Sequence, residues 1–149
     1  VRQITVVKDA LTAFGAGGVH AMHDATEGGV FGGVLEMASA ANTPAYVNVD
    51  AVAVSPDIAE CAKALGFDPW HAISEGTLLA SVAPASVSRI RKEWEKLGIE
   101  SYELGRFDAS LRCSMVCRNG TATELVEPEI DPFWDLFFAG LRPIEQKEV

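Results

Sequence analysis

Several features are missing from the sequence, and each absence excludes a class of protein. The 149 residues contain no basic run, no secretory signal segment and no apolar stretch of about 18 residues. Lys and Arg number 12 against 21 Asp and Glu, so the net charge is −9. Duplex nucleic acid and anionic membranes both recruit clustered cations, so neither is expected as a partner. We predict a cytoplasmic protein.

Cysteine and histidine are both scarce, with three of each. Cys113 and Cys117 would share one face of a strand over 113–118, and Cys61 lies far from them in the sequence. A structural zinc site needs four ligands, usually as two close pairs, and the histidines supply no second pair. We therefore interpret the cysteines as buried thiols and predict no metal site in this chain.

The chain also lacks a nucleophile triad, a Walker A loop, a dinucleotide fingerprint and internal repeats. Its length and its hydrophobic content of 48% suit one globular domain over residues 1–149, with a loose tail over 141–149. Val1 leads directly into a helical pattern, so we expect a piece cut from a longer protein at a domain boundary. Trimming of a complete protein would give the same start.

The hydrophobic spacing predicts the order of the secondary-structure elements. Helices are expected near 4–14, 27–41, 55–65, 87–97 and 131–140, and strands near 19–24, 45–54, 76–83, 100–107, 113–118 and 122–128. Asn119-Gly120 predicts a hairpin turn between the last two strands. These two strands and the one before them have no helices between them, which disfavours a doubly wound parallel sheet. We predict an α+β fold, with a mixed sheet packed by helices.

The segment HDATEGGVFGG is the strongest candidate site. A strand that ends at Asp24 and a helix that begins near Glu27 place Thr26, Gly28 and Gly29 in a strand-to-helix turn. Unpaired N–H groups at a helix start bind phosphate, and glycine lets the ligand approach closely. The Thr26 hydroxyl can donate to the same oxygen, whereas Asp24 and Glu27 suit magnesium or a transferred proton.

A helix cap is the alternative interpretation of the same segment. Asp24, followed three residues later by Glu27, has the spacing of a capping box and needs no ligand. Four glycines follow Glu27, however, and each costs about 0.8–1.0 kcal/mol relative to alanine inside a helix. Close helix packing can account for the second pair, Gly32 and Gly33, but the cap leaves the first pair unexplained.

A second candidate is the polar turn formed by Ser74, Glu75 and Gly76 before a buried strand. A turn required only by chain reversal explains the same residues. His71, three residues earlier, is interpreted as a turn or surface residue because no catalytic partner is identifiable.

The order of these motifs resembles a known family. AMHDATEGGVFGGVLEMASAA resembles the glycine motif that opens the C-terminal domain of the aminoimidazole ribonucleotide (AIR) synthase superfamily. The segment from DPWHAISEGTLLASV to ELGRF is similar to the Ser-x-Gly turn, strand and helix that follow in that domain. DPFWDLFF resembles the closing segment of unassigned AIR-synthase-related proteins. The resemblance covers about residues 5–140 and is nearest to the hydrogenase-maturation carbamoyl dehydratase and the unassigned members.

The resemblance implies an ATP-dependent enzyme whose N-terminal domain forms a homodimer and binds Mg-ATP through aspartates. The C-terminal domain, α+β in fold, closes over the nucleotide and a phosphate-bearing small molecule. The residues that would line this cleft are Asp24, Thr26, Glu27, Gly28 and Gly29, with Ser74, Glu75 and Gly76 from a neighbouring loop. The chain lacks the ATP-binding half, so it should not turn over ATP alone. Its ending, RPIEQKEV, lacks the reactive C-terminal cysteine of the carbamoyl dehydratase.

Two functions follow from this sequence. The first is the substrate- and phosphate-binding domain of an ATP-dependent AIR-synthase-related enzyme, which carries out phosphoryl transfer or ATP-driven dehydration or cyclisation. The alternative is a non-catalytic docking module of the same fold. The aromatic residues of the closing helix favour a core or an interface: Phe133, Trp134, Phe137 and Phe138.

Overall fold

The computed structural model describes residues 4–128 and 131–140. Its five α-helices and six strands follow the predicted order. The helices are α1 (Val7–Ala16), α2 (Gly29–Ala40), α3 (Pro56–Leu65), α4 (Val87–Lys96) and α5 (Pro132–Gly140). The strands are β1 (Val19–Ala25), β2 (Ala45–Asn48), β3 (Thr77–Val82), β4 (Gly105–Phe107), β5 (Met115–Arg118) and β6 (Thr121–Glu124). The predicted tail over 141–149 lies outside the described residues.

The strands form two sheets, and the α+β prediction is confirmed. β1 pairs antiparallel with β3 in a two-stranded sheet, and the larger sheet has the order β4-β2-β5-β6. In the larger sheet β2 runs parallel to β5, while the β2–β4 and β5–β6 pairs are antiparallel. Asn119 and Gly120 both take positive φ at the predicted hairpin turn, and their N–H groups donate to the Asp50 carboxylate. The mixed sheet is the one that the sequence predicts.

Four strand predictions were too long, since β2, β4, β5 and β6 are shorter than the strands expected over 45–54, 100–107, 113–118 and 122–128. The strand expected over 45–54 ends at Asn48, where the Asn48 side-chain oxygen accepts a hydrogen bond from the Asp50 N–H and starts a short 3₁₀ turn. Cys113 lies before β5 rather than within it. The two cysteines therefore do not form the same-face strand pair expected from their spacing, and both are half-buried free thiols. Cys61 is an exposed free thiol on α3, so the interpretation of all three as buried thiols is wrong for this residue.

The core lies around α2, which contacts both sheets. From α2 come Phe31, Val34 and Ala38, which pack with residues of the larger sheet and its flanks: Ala45, Val47, Val49, Val116 and Leu125. Phe31 is 1% exposed and is one of the two largest fully buried side chains among the described residues. This central position fixes where α2 begins, and therefore where the glycine turn lies.

The apolar stripe of α1 faces outward, contrary to the usual orientation of an amphipathic helix. Leu11 is 67% exposed and Phe14 is 73% exposed, whereas Ala13 on the opposite side is fully buried. On that buried side, the Trp94 indole N–H of α4 donates to the Asp9 carbonyl at 2.9 Å. Helix α1 thus packs on α4 through its small residues and leaves its large ones uncovered.

Candidate functional site

The glycine turn joins β1 to α2, but the capping-box interpretation is wrong. Asp24 belongs to β1, and α2 starts two residues later than expected, with Gly28 as its N-cap residue. Gly28 and Gly29 take φ angles of 71° and 63°, in the left-handed region, and no side chain of the turn itself caps the helix. The first glycine pair is required because this backbone conformation is costly for residues with a Cβ.

A close backbone approach constrains Gly29 still further. A Cβ placed on Gly29 would lie 2.4 Å from the Ala72 carbonyl oxygen and 2.8 Å from the Trp70 carbonyl oxygen. The same segment accepts a hydrogen bond from α2, since the Phe31 N–H donates to the Trp70 carbonyl at 3.0 Å. The start of α2 is therefore seated directly on the backbone of residues 70–72.

The second glycine pair packs inside the domain, as close helix packing predicts. A Cβ on Gly33 would lie 2.8 Å from Leu79 Cδ1 and 3.3 Å from His23 Nδ1. A Cβ on Gly32 would lie 3.2 Å from the Glu27 carbonyl oxygen. Gly33 brings α2 close to β1 and β3, and Gly32 lies against the turn that precedes the helix. Neither glycine needs a ligand to explain it.

A carboxylate from the closing segment occupies the start of α2. The Gly28 N–H donates to Asp131 Oδ2 at 2.7 Å, across 103 positions of sequence. The Gly29 N–H donates to the Thr26 carbonyl at 3.1 Å. Nothing in the sequence close to Gly28 or to Asp131 predicts that these two residues meet. A negatively charged oxygen at a helix N-terminus is favoured by the helix dipole.

The structure brings the two predicted loops together. The Ser74 N–H donates to the Thr26 carbonyl at 3.0 Å, and the Ser74 hydroxyl donates to Thr77 Oγ1 at 2.8 Å. Glu75 and Gly76 are exposed beyond this contact. Gly76 has a φ of 75°, and a Cβ there would lie 2.9 Å from Ile4 Cγ2. Ser74 thus contacts the turn directly, whereas Glu75 and Gly76 lie exposed at its edge, here called the rim.

A layer of aromatic side chains and one arginine packs around the 70–72 segment that the turn contacts. The Phe31 ring stacks on Trp70 with centroids 5.7 Å apart and meets the edge of the His71 ring at 4.9 Å. The Arg118 guanidinium lies 6.0 Å from the Phe31 ring centroid and donates to Asp68 Oδ2 at 2.6 Å. These contacts fix the segment that Gly29 approaches.

His71 is part of this layer, where it lies half-buried in a turn, and the turn is one of the two positions that the sequence predicts for it. Its Nδ1 is buried without a hydrogen-bond partner among the described residues. Burial lowers the pKa of His71 below its ordinary value, and the Arg118 charge lowers it further. The carboxylates of Asp68, Asp131 and Glu127 oppose this shift. The imidazole is therefore held toward its neutral form beside the turn.

The surroundings of the turn are acidic. Asp24, Thr26 and Glu27 are all exposed, and Glu127 Oε1 lies 3.8 Å from the position of a Cβ on Gly28. Within residues 4–128 and 131–140, no group of three or more His, Cys, Asp or Glu residues is arranged to hold a metal ion. In the same part of the chain, no helix is long and apolar enough to cross a membrane.

Residues 2–118 match the family described as AIR synthase related protein, C-terminal domain, and the chain belongs to this family. Two curated relatives are the carbamoyl dehydratases HypE of Bradyrhizobium diazoefficiens and Rhizobium leguminosarum bv. viciae. Both are 34% identical to the chain, over 76 and 77 residues, or 51% and 50% of the chain. These alignments cover 22% of each relative, so the chain matches less than a quarter of their length.

Solved structures show the same fold. The hydrogenase maturation protein HypE of E. coli superposes with a TM-score of 0.77 at 24% identity, over 85% of this chain and 41% of that one. A HypE structure in complex with ATP gives a TM-score of 0.70 at 21% identity, over 78% of this chain and 38% of that one. A HypE–HypF complex gives 0.75 at 15% identity, over 83% and 41%.

Replacing Gly29 tests the close approach directly. We expect Gly29→Ala to lower the free energy of unfolding by about 2–5 kcal/mol, because left-handed strain adds to the overlap with Ala72. Gly15→Ala is the matched control, since Gly15 lies within α1 with nothing within 4 Å of a Cβ. It should gain up to about 1 kcal/mol. Urea unfolding measures both, and equal effects of the two substitutions would contradict the packing described.

His71 should make stability depend on pH. Its folded-state pKa lies below the ordinary value of 6.5, so the unfolded chain binds more protons between the two values. The stabilising contribution is complete above pH 6.5 and is lost as the pH falls through that window. We expect the free energy of unfolding to fall more from pH 7.5 to pH 5.5 in the wild type than in His71→Gln. Identical pH dependence of the two proteins would refute the assignment.

Proposed function

We propose that the chain is the substrate- and phosphate-binding domain of an ATP-dependent, AIR-synthase-related enzyme, with the turn formed by residues 24–29 facing the phosphate-bearing ligand. The observation that carries this proposal is the Asp131 carboxylate on the Gly28 N–H at 2.7 Å. Carboxylate and phosphate oxygens are both anionic acceptors, and both suit the N-terminus of a helix. The amide that the sequence assigns to phosphate already holds an oxygen anion.

The shape of the turn supports the same ligand. Gly28 is half-buried and lacks a side chain, so an oxyanion can reach its N–H without meeting a Cβ. The exposed Thr26 hydroxyl lies two positions earlier and can donate to the same group. The ligand would take the place of Asp131, so the closing segment has to yield the amide when phosphate binds.

The charges around the turn define what a partner must supply. Asp24, Glu27 and Glu127 would repel a bare phosphate, and the Arg118 guanidinium is already paired with Asp68. A cation must therefore arrive with the ligand or from another part of the enzyme. We assign that role to the N-terminal ATP-binding domain expected from the family, with Mg and ATP held there. We place no magnesium ligands on this chain.

In this arrangement the chain's own residues bind and orient the ligand. The Gly28 N–H would hold an oxygen of the phosphate, while the Asp24 or Glu27 carboxylate would accept a hydroxyl hydrogen or a transferred proton. ATP supplies the phosphoryl group that activates a substrate oxygen for displacement. The HypE structure with bound ATP supports a nucleotide in the complete enzyme. A homodimer formed through the N-terminal domain remains our expectation for the complete enzyme.

The docking-module alternative rests on a different observation. Trp134, Phe137 and Phe138 pack on one another within α5, with ring centroids 5.6–5.9 Å apart. Phe137 is 45% exposed and Phe138 is 59% exposed, so this cluster does not form the domain core. The coding region upstream of Val1 discriminates the two functions. A preceding domain with an acidic nucleotide-binding motif favours the enzyme, and a start codon near Val1 favours the module.

Substitution of the exposed acids tests the enzyme proposal. In the longest polypeptide that the gene encodes, we expect both Asp24→Asn and Glu27→Gln to lower ATP turnover. Substitution of whichever residue accepts the transferred proton should lower it by about a hundredfold or more. The control is Glu95→Gln, an exposed acid on α4 that should leave turnover unchanged. Turnover at the wild-type rate in both turn variants would overturn the proposal.

A further inference from the structure

The outward face of α1 and Ile4, three residues before the helix, present exposed apolar side chains, and this surface is here called the α1 face. Its members are Ile4, Val7, Leu11 and Phe14, which are 72%, 61%, 67% and 73% exposed. Their spacing of three, four and three residues places the helical members on one side of the helix. Single exposed apolar residues are ordinary on a protein surface, but a contiguous set marks an interaction surface.

The packing of α1 explains why this face is uncovered. The helix already has its intramolecular partner, because Ala13 is fully buried and the Asp9 carbonyl accepts the Trp94 indole N–H of α4. Turning the large side chains inward would break this contact and remove the small residue that permits the close approach. One side of α1 therefore packs on α4, while the large apolar side chains on the other side stay exposed.

The family assignment indicates which part of a longer polypeptide would lie near the exposed side of α1. The matched model describes a C-terminal domain and aligns from residue 2, so in family members further polypeptide precedes the position of α1. The chain covers 41% of E. coli HypE, so that protein has additional chain longer than this domain. A preceding domain would be tethered next to Ile4. Tethering makes docking intramolecular and raises the effective concentration of the partner.

We propose that the α1 face is the docking surface for the domain that precedes it in the same polypeptide, and that this partner presents an apolar patch. The inference rests on the proposed function insofar as it requires that domain to be present. The chemistry of the face argues against a nucleic acid or an anionic partner, since all four exposed side chains are uncharged hydrocarbons. A second copy of the chain has no tether and must pay the full entropy of association.

Thiol labelling tests the proposal in both the 149-residue chain and the longest polypeptide that the gene encodes. The variants Leu11→Cys and Phe14→Cys report on the face, and Lys92→Cys is the control at an exposed position of α4, two residues from the buried Ile90. Peptide-resolved mass spectrometry separates the new thiols from Cys61, Cys113 and Cys117. We expect similar labelling rates at all three positions in the 149-residue chain. In the longer polypeptide, positions 11 and 14 should react at least about tenfold more slowly, with position 92 unchanged.

The other outcomes each overturn the proposal. Equal labelling of positions 11 and 14 in both proteins would show that the preceding domain leaves the face uncovered. Protection that already occurs in the 149-residue chain and grows with its concentration would identify a second copy as the occupant. A gene that encodes no preceding domain would remove the partner. If positions 11 and 14 are labelled equally fast in both proteins and Asp24→Asn loses ATP turnover, the docking surface alone is rejected. If positions 11 and 14 are protected in the longer polypeptide and both turn variants turn over ATP normally, the proposed function alone is rejected.

Discussion

The contact between Gly29 and the backbone of residues 70–72 is the constraint on which the candidate site depends. A Cβ at position 29 would lie 2.4 Å from the Ala72 carbonyl oxygen, so only glycine fits there. With glycine at this position, the start of α2 lies close enough to residues 70–72 for the Phe31 N–H to donate to the Trp70 carbonyl. Phe31 then enters the core between Trp70 and His71. The Ser74–Thr26 hydrogen bond closes the same junction from the other side. One glycine thus couples the core, the direction of α2 and the outward-facing Gly28 amide.

Local signals predicted most of the fold, and long-range contacts account for what they missed. Ser55-Pro56 and Gly66 bound α3 as expected, and Asn119-Gly120 makes the hairpin, because these residues act on their own backbone. The start of α2 was predicted less well, since its capping oxygen comes from Asp131 rather than from Asp24. No pattern within a short window contains that contact. The requirement for Gly29 likewise comes from a carbonyl 43 positions away. The family resemblance implied that the loop of Ser74 neighbours the glycine turn, but nothing in the sequence indicated which atoms join them.

The orientation of α1 shows a different limit of sequence reasoning. Spacing identified Val7, Leu11 and Phe14 as one face, but spacing does not say what covers a face. In this chain the face remains open, while Ala13 makes the internal contact. The exposed α1 face and the acidic rim of the glycine turn have the same explanation in our proposal. The α1 residues and the carboxylates of the rim are exposed. In our proposal, a nucleotide-binding domain of the same polypeptide would supply an apolar surface to the first and a cation to the second.

The most direct test of the central claim is whether the Gly28 N–H binds phosphate in competition with Asp131. Backbone amide NMR spectra of the longest polypeptide that the gene encodes, as wild type and as Asp131→Asn, titrated with inorganic phosphate in the presence of Mg²⁺, report on this one hydrogen bond. The amides of Asn119 and Gly120 are the internal control, since they also hold a carboxylate but lie in a hairpin. The account predicts a saturable shift of the Gly28 resonance, at lower phosphate concentration in Asp131→Asn, with the hairpin amides unmoved. A Gly28 resonance that moves in neither protein, or no more than the hairpin amides, would contradict it.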